Sequence, residues 1–326
     1  REDGESNSLT VAYSNIQGGQ DSIVTNNNGT ITWGDGNIDV NPMFVDTANG
    51  NYHLLASSML INAGHPDSTD SDGTRADIGA YPYLNTYSGP NWFVSNNGND
   101  TTATGASGNG FRSIQAAINF ASEGDDVSVS SGNFFENINF RGRAIVVNGT
   151  GTSTIDGGGN GTVVTFDSGE DTTTVLNGFI IQNGSDQGWG IYSDASPFLS
   201  NLRIEGNEGG GVFAIGWGNS TIIDRCIINN NQGHGVFLWD APVRMWNSTI
   251  SNNSLVGVEM HGGSTFDLIS CTVVDNDGSG INLGYLDQSP NIINSIIYGN
   301  EGQQLVVGEN DSPNVIYSYI QDTLWP

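Results

Sequence analysis

Ile180-Ile181-Gln182-Asn183, Ile204-Glu205-Gly206-Asn207, Ile228-Asn229-Asn230-Asn231, Ile250-Ser251-Asn252-Asn253, Val273-Val274-Asp275-Asn276 and Ile297-Tyr298-Gly299-Asn300 share one frame. Each carries a β-branched residue followed three places later by Asn. The Asn-to-Asn spacings are 24, 24, 22, 23 and 24. Two places before each β-branched residue stands a small or apolar one: Gly178, Leu202, Cys226, Ser248, Cys271 and Ser295. Strand side chains alternate, so both positions of a pair face one core. A second strand follows each Asn: Gly190-Ile191-Tyr192, Gly211-Val212-Phe213, Gly235-Val236-Phe237, Gly257-Val258-Glu259 and Gly280-Ile281-Asn282. Short strands separated by Gly, Asn, Asp and Ser turns, repeating in the low twenties, predict an all-β solenoid. The expected form is a right-handed parallel β-helix with coils of about 23 residues stacked ~4.8 Å apart. The fixed Asn predicts a side-chain ladder. Cys226 and Cys271 lie two coils apart, roughly 9–10 Å, too far for a disulfide.

Outward from the coils, one helical pattern stands out, 111–121, with Ile114, Ala117, Ile118 and Ala121 on its apolar face. It is expected to cap the first coil and hide its edge. The chain has 326 residues, 46 Gly, 35 Asp+Glu and 8 Lys+Arg, a formal net charge of −27. Every basic residue is Arg. Such a balance argues against nucleic acid as a partner, which needs clustered cations. No apolar run is long enough for membrane insertion.

Trp92-Phe93-Val94-Ser95 with Asn99-Asp100, then Ser113-Ile114-Gln115-Ala116-Ala117-Ile118 and Gly124-Asp125-Asp126-Val127, resembles the opening of secreted bacterial β-helix repeat proteins of the pectate-lyase-like superfamily. Asn41-Pro42-Met43-Phe44-Val45-Asp46, Tyr52-His53-Leu54, Ile61-Asn62-Ala63-Gly64 and Asp77-Ile78-Gly79-Ala80-Tyr81 resemble the closing module of such domains, of the choice-of-anchor type. The resemblance implies a closing module at 1–87, then a capped β-helix at 88–326, with cap 90–125 and coils 126–321. It also implies an extracellular or cell-surface location.

The closing module stands first. Residues 4–17 align without gaps to 308–321, an offset of 304, through Tyr13-Ser14-Asn15-Ile16-Gln17 and Tyr317-Ser318-Tyr319-Ile320-Gln321. The chain thus spans slightly more than one period of a larger array. It is either a fragment cut within a repeat or one unit of a head-to-tail filament. Val11, Ile16, Val315, Ile316 and Ile320 form the expected assembly edge, with other copies of the chain, end to end, as partners.

Gly233-His234-Gly235 matches a motif of polygalacturonases on this fold, but the Asn-Thr-Asp of that set is absent. Arg203, Arg225 and Arg244 occupy different frame positions, and there is no Lys to act as a lyase base. Asp240 and Glu259, on neighbouring coils, are the available carboxylate pair for a hydrolase. No complete catalytic set emerges. Outward positions carry an aromatic and acidic stripe instead: Tyr192, Phe213, Phe237 and Glu259 in one row, Ile215, Trp239 and His261 in the next, with Trp217 and Asp240 beside them. Such a stripe suits a covering module or a neutral glycan. Asp67, Asp70, Asp72 and Asp77 form an oxygen-rich run compatible with a structural calcium; no other cofactor is required. The sequence therefore reads as a structural or adhesive β-helix repeat rather than an enzyme. A polysaccharide lyase, a glycoside hydrolase and a non-catalytic carbohydrate-binding β-helix are the alternatives.

Overall fold

The computed structural model describes residues 7–321 except 26–28, 186 and 285–288. Residues 4–6 of the repeated segment and Pro326 lie outside the described residues. The chain forms two units, 1–89 with 97–120, and 90–96 with 121–326.

The larger unit is a right-handed parallel β-helix. Each coil contributes one strand to each of three parallel sheets. A representative coil runs Phe198–Ser200, Arg203–Glu205, then Gly210–Ile215. The next runs Thr221–Asp224, Ile227–Asn229, then His234–Trp239, each strand pairing with its counterpart. Leu199, Ile204 and Val212 are buried, as are Ile223, Ile228 and Val236 one coil on. Stacked aliphatic columns of this kind bury apolar area on all three inner faces, which is the main stabilising term.

The corner between the first and second sheets turns through a left-handed residue, Asn201, Arg225, Asn247, Ser270 or Asn294 in successive coils. The next residue points inward. Cys226 N–H donates to Ser248 Oγ (3.0 Å), Ser248 N–H to Cys271 Sγ (3.4 Å) and Cys271 N–H to Ser295 Oγ (3.1 Å). Both cysteines are free and buried.

The corner between the second and third sheets holds the Asn ladder. Asn207, Asn231, Asn253 and Asn276 each donate from Nδ2 to the Oδ1 of the next Asn at 2.8–2.9 Å. The ladder ends where Asn300 Nδ2 donates to Gln304 Oε1 (2.7 Å). Asn183 does not join it. Ile181, not Ile180, pairs with Ile204, and Phe179 rather than Gly178 turns inward. A register shift after Asn177 moves that coil by one residue. Gly184 then holds the ladder position and donates its N–H to Asn207 Oδ1 (2.9 Å).

The smaller unit pairs Asn7–Val11 with Gly29–Trp33 in parallel and Phe44–Asp46 with Asn51–Leu54 antiparallel. Its helix spans Ile114–Phe120, and every residue of it is buried, not the apolar stripe alone. The polar members are held by bonds to the unit's own chain. Asn119 Nδ2 donates to Ala56 O (2.9 Å) and Ser58 O (2.8 Å), and Gln115 Nε2 to Asn119 Oδ1 (3.1 Å). A buried carboxamide is tolerated because its donors and acceptor are satisfied.

Candidate functional site

The third sheet presents the aromatic stripe. Register sets Tyr192 beside Phe213, Phe213 beside Phe237, and Phe237 beside Glu259. One step along the strands, Ile215, Trp239 and His261 align. Alternation aims both rows away from the core, where Ile191, Val212, Val236 and Val258 fill the inside. The rings touch in series. Tyr192 and Phe213 meet edge-on at 5.5 Å, as do Phe213 and Phe237 at 5.2 Å. His261 stacks on Phe237 at 5.1 Å and on Trp239 at 5.7 Å.

Trp189 belongs to this face and the sequence reading missed it. Its ring lies 5.3 Å from Phe213 and 5.9 Å from Phe237. The signal was Gly210, the next residue in Trp189's column. A Cβ there would sit 2.3 Å from the Trp189 ring, so only glycine leaves room for the indole. His234 follows in the same column, 5.4 Å from Phe237. Its Nδ1 is buried without a hydrogen-bond partner, and burial pushes its pKa down.

Glu259 departs from the expected open position. It occupies an outward register position yet is only 7% exposed. His261 Nε2 lies 2.9 Å from its Oε1, and Asn282 Nδ2 donates to both carboxylate oxygens at 3.0 Å. The carboxylate is therefore committed to fixing neighbours on either side. Asp240, held in a left-handed backbone, accepts the Gly263 N–H at 2.8 Å. The two acids considered as a catalytic pair are thus each engaged in positioning bonds. Trp217 stands at 75% exposure with its ring over Gly263, where a Cβ would come within 2.3 Å of the indole. Trp239 is 48% exposed. The face thus combines rigid, half-open rings with a fixed polar edge of Glu259, His261 and Asn282. Burial, then Asp194 and Asp167, push the Tyr192 phenol pKa up, keeping it a neutral donor.

In the smaller unit, the acidic run braces backbone. Asp77 accepts the N–H of Asn62 (2.7 Å) and of Tyr83 (2.8 Å), and Asp70 accepts that of Asp77 (2.9 Å). Asp72 accepts from Thr74 and from the Asn85 N–H (2.8 Å). Asp67 is exposed, 4.0 Å from His65. Among the described residues, no three His, Cys, Asp or Glu side chains group so as to hold a metal ion. No helix among them is long and apolar enough to cross a membrane.

Residues 93–283 and 160–320 match the family model described as "Right handed beta helix region". No curated protein matches the chain. Among solved structures, pectate lyase Pel9A is 17% identical with a TM-score of 0.44, covering 70% of this chain and 62% of its own. ORF18 of Geobacillus virus E2 is 13% identical, with a TM-score of 0.36 and 64% and 56% covered. The GH136 lacto-N-biosidase of Eubacterium ramulus is 10% identical, with a TM-score of 0.24 and 69% and 68% covered. The chain spans less than two thirds of the pectate lyase it matches.

Proposed function

The chain belongs to the right-handed β-helix family, and from that premise we propose that it is an extracellular adhesive solenoid that holds a neutral glycan on its third sheet. One observation carries this reading: Trp189, Phe213, Phe237, His261 and Trp239 form a continuous ring-to-ring face beside a buried, bonded carboxylate. Sugar rings offer apolar C–H faces to such aromatics and hydroxyls to a fixed acceptor. A net charge of −27 disfavours polyanionic glycans at long range. The commitment of Glu259 and Asp240 to positioning bonds favours binding over hydrolysis.

Affinity electrophoresis through gels containing neutral or uronate polysaccharides tests the reading. Retardation by at least one neutral glycan, lost in Trp239→Ala, is the expected result. Mobility unaffected by every neutral glycan overturns it. Product release from any glycan, abolished by Glu259→Gln, would instead favour a hydrolase or lyase.

A further inference from the structure

We propose that the smaller unit holds a quaternary ammonium group, a trimethylammonium headgroup of the choline type, in an aromatic cavity of its own. Three stretches that the sequence singles out, and that glycan binding leaves unused, supply the walls. Residues 41–46 give Pro42 and Phe44, residues 52–54 give Tyr52, and residues 77–81 give Ile78 and Tyr81. With buried Leu60 they border a cavity of about 410 Å³, within the range of small-ligand sites.

The walls are fixed by local bonds. Phe44–Asp46 and Asn51–Leu54 form the antiparallel pair, and Phe44 meets Tyr52 edge-on with ring centroids 5.5 Å apart. Ile78 N–H donates to Leu60 O (3.0 Å). Asp77 accepts the Tyr83 N–H (2.8 Å) and so clasps the loop that carries Ile78 and Tyr81. The His53 ring lies 4.8 Å from Tyr81, tilted 31° to it, and steadies Tyr81 without lining the cavity. Tyr52 and Tyr81 are each 49% exposed, so both rings are reachable from solvent.

The cavity offers aromatic rings and little else. Among the described residues, no lining side chain is charged. Apart from the two phenols, the polar side chain there is Asn15, and its carboxamide is committed to Val40. Nδ2 donates to Val40 O and Oδ1 accepts the Val40 N–H, both at 3.0 Å. A sugar or a primary ammonium would leave several donors unpaired in such a place. An anion would meet a unit whose described residues carry nine aspartates against two arginines, a net charge of −7. Arg75 is turned to Tyr13 and to Gly64 O. Asp46, two places beyond Phe44, stays ionised, because the Asn49 side-chain and backbone amides hold its carboxyl below the ordinary value. A quaternary ammonium meets every one of these conditions. It has no N–H to leave unpaired, and its methyl groups suit apolar walls. Its charge is attracted by the rings of Phe44, Tyr52 and Tyr81 and by the acidic unit around them. None of this depends on the glycan-binding face.

Titration of the full chain with choline chloride and with tetramethylammonium chloride, followed by saturation-transfer NMR and calorimetry, is the test. Both cations should bind saturably. Ethanolamine and the neutral tert-butyl analogue of choline should each bind at least tenfold more weakly. Tyr81→Ala should weaken choline binding at least tenfold. Ala80 also lines the cavity, so Ala80→Trp fills it with every aromatic wall in place and should abolish binding. Trp239→Ala, which removes glycan retention, should leave choline binding unchanged. If Tyr81→Ala and Ala80→Trp both misfold, choline against its neutral analogue on wild type decides. A neutral analogue bound as tightly as choline, binding that survives in folded Ala80→Trp, loss of binding in Trp239→Ala, or no saturation by either cation overturns the proposal.

Discussion

Asn253 Nδ2 donates to Asn276 Oδ1 at 2.9 Å, and the same oxygen takes the Asn253 backbone N–H at 3.1 Å. One carboxamide thus satisfies side chain and backbone of the coil before it, and Asn253 does the same for Asn231. Leucine at 253 would strand the Asn231 backbone N–H and one of its two side-chain N–H groups in a fully buried corner, the other still meeting Ile204 O. Asn253→Leu should cost roughly 1–3 kcal/mol for each donor left unpaired, read as a fall in the denaturant midpoint. Asn300→Leu should cost about as much, because Asn300 Oδ1 takes the N–H (3.1 Å) and Nδ2 (2.8 Å) of fully buried Asn276 in the same way.

The inward sulfur–oxygen column predicts chemical silence. Burial pushes the Cys226 thiol up to about 12 and Cys271 up to about 11, so neither ionises near neutral pH. Both should react with a thiol reagent only after unfolding, and reducing conditions should leave the melting temperature unchanged. Cys271→Ser should change stability by less than about 1.5 kcal/mol, because the Ser248 N–H then donates to an oxygen, as Cys226 N–H already does.

The solenoid was legible because its determinants are local and periodic: a buried residue at Ile204, Ile228 or Ile250 recurs with the ladder Asn three places later. The slip at Asn183 was not, because Gly178 and Ile180 fit the same frame one residue out of step and only pairing to Ser153–Asp156 fixes the register. On the site, alternation gave which side Tyr192, Phe213 and Phe237 face. It could not show that His261 and Asn282 close over Glu259, because burial there depends on side-chain direction across two neighbouring coils. Trp189 was hidden for a related reason: its place is set by an absent side chain at Gly210.

Burial raises the Asp77 carboxyl from its ordinary value to about 6, against the pull of the Asn62 and Tyr83 amides; Asp70 and Asp72 add to the rise. The folded state therefore holds this proton more tightly than the unfolded chain. Its contribution to stability is complete below about pH 4 and is lost as pH rises through about 6. Other carboxylates titrate in the same range, so the measurement is a difference. The melting temperature of wild type minus that of Asp77→Asn should fall between pH 4 and 6 and stay level above. A difference that rises across this interval would mean that the amide bonds outweigh burial.

Glu259 positions His261, and through it the open end of the aromatic face. Both carboxylate oxygens accept from Asn282, and Oε1 also meets His261 Nε2. Glu259→Gln keeps size but replaces one carboxylate oxygen by an N–H₂, so Asn282 Nδ2 loses one of its two acceptors at a nearly buried site. The cost to stability should be about 1–3 kcal/mol. The larger effect should fall on binding, because His261 is the ring stacked on both Phe237 and Trp239. Loss of its tether should weaken neutral-glycan retention at least tenfold and alter tryptophan fluorescence. Asn282→Ala breaks the other side of the carboxylate but leaves the His261 contact, so it should lower stability while retaining most of the binding. Equal binding losses in the two variants would mean that Glu259 acts on overall packing and not through His261.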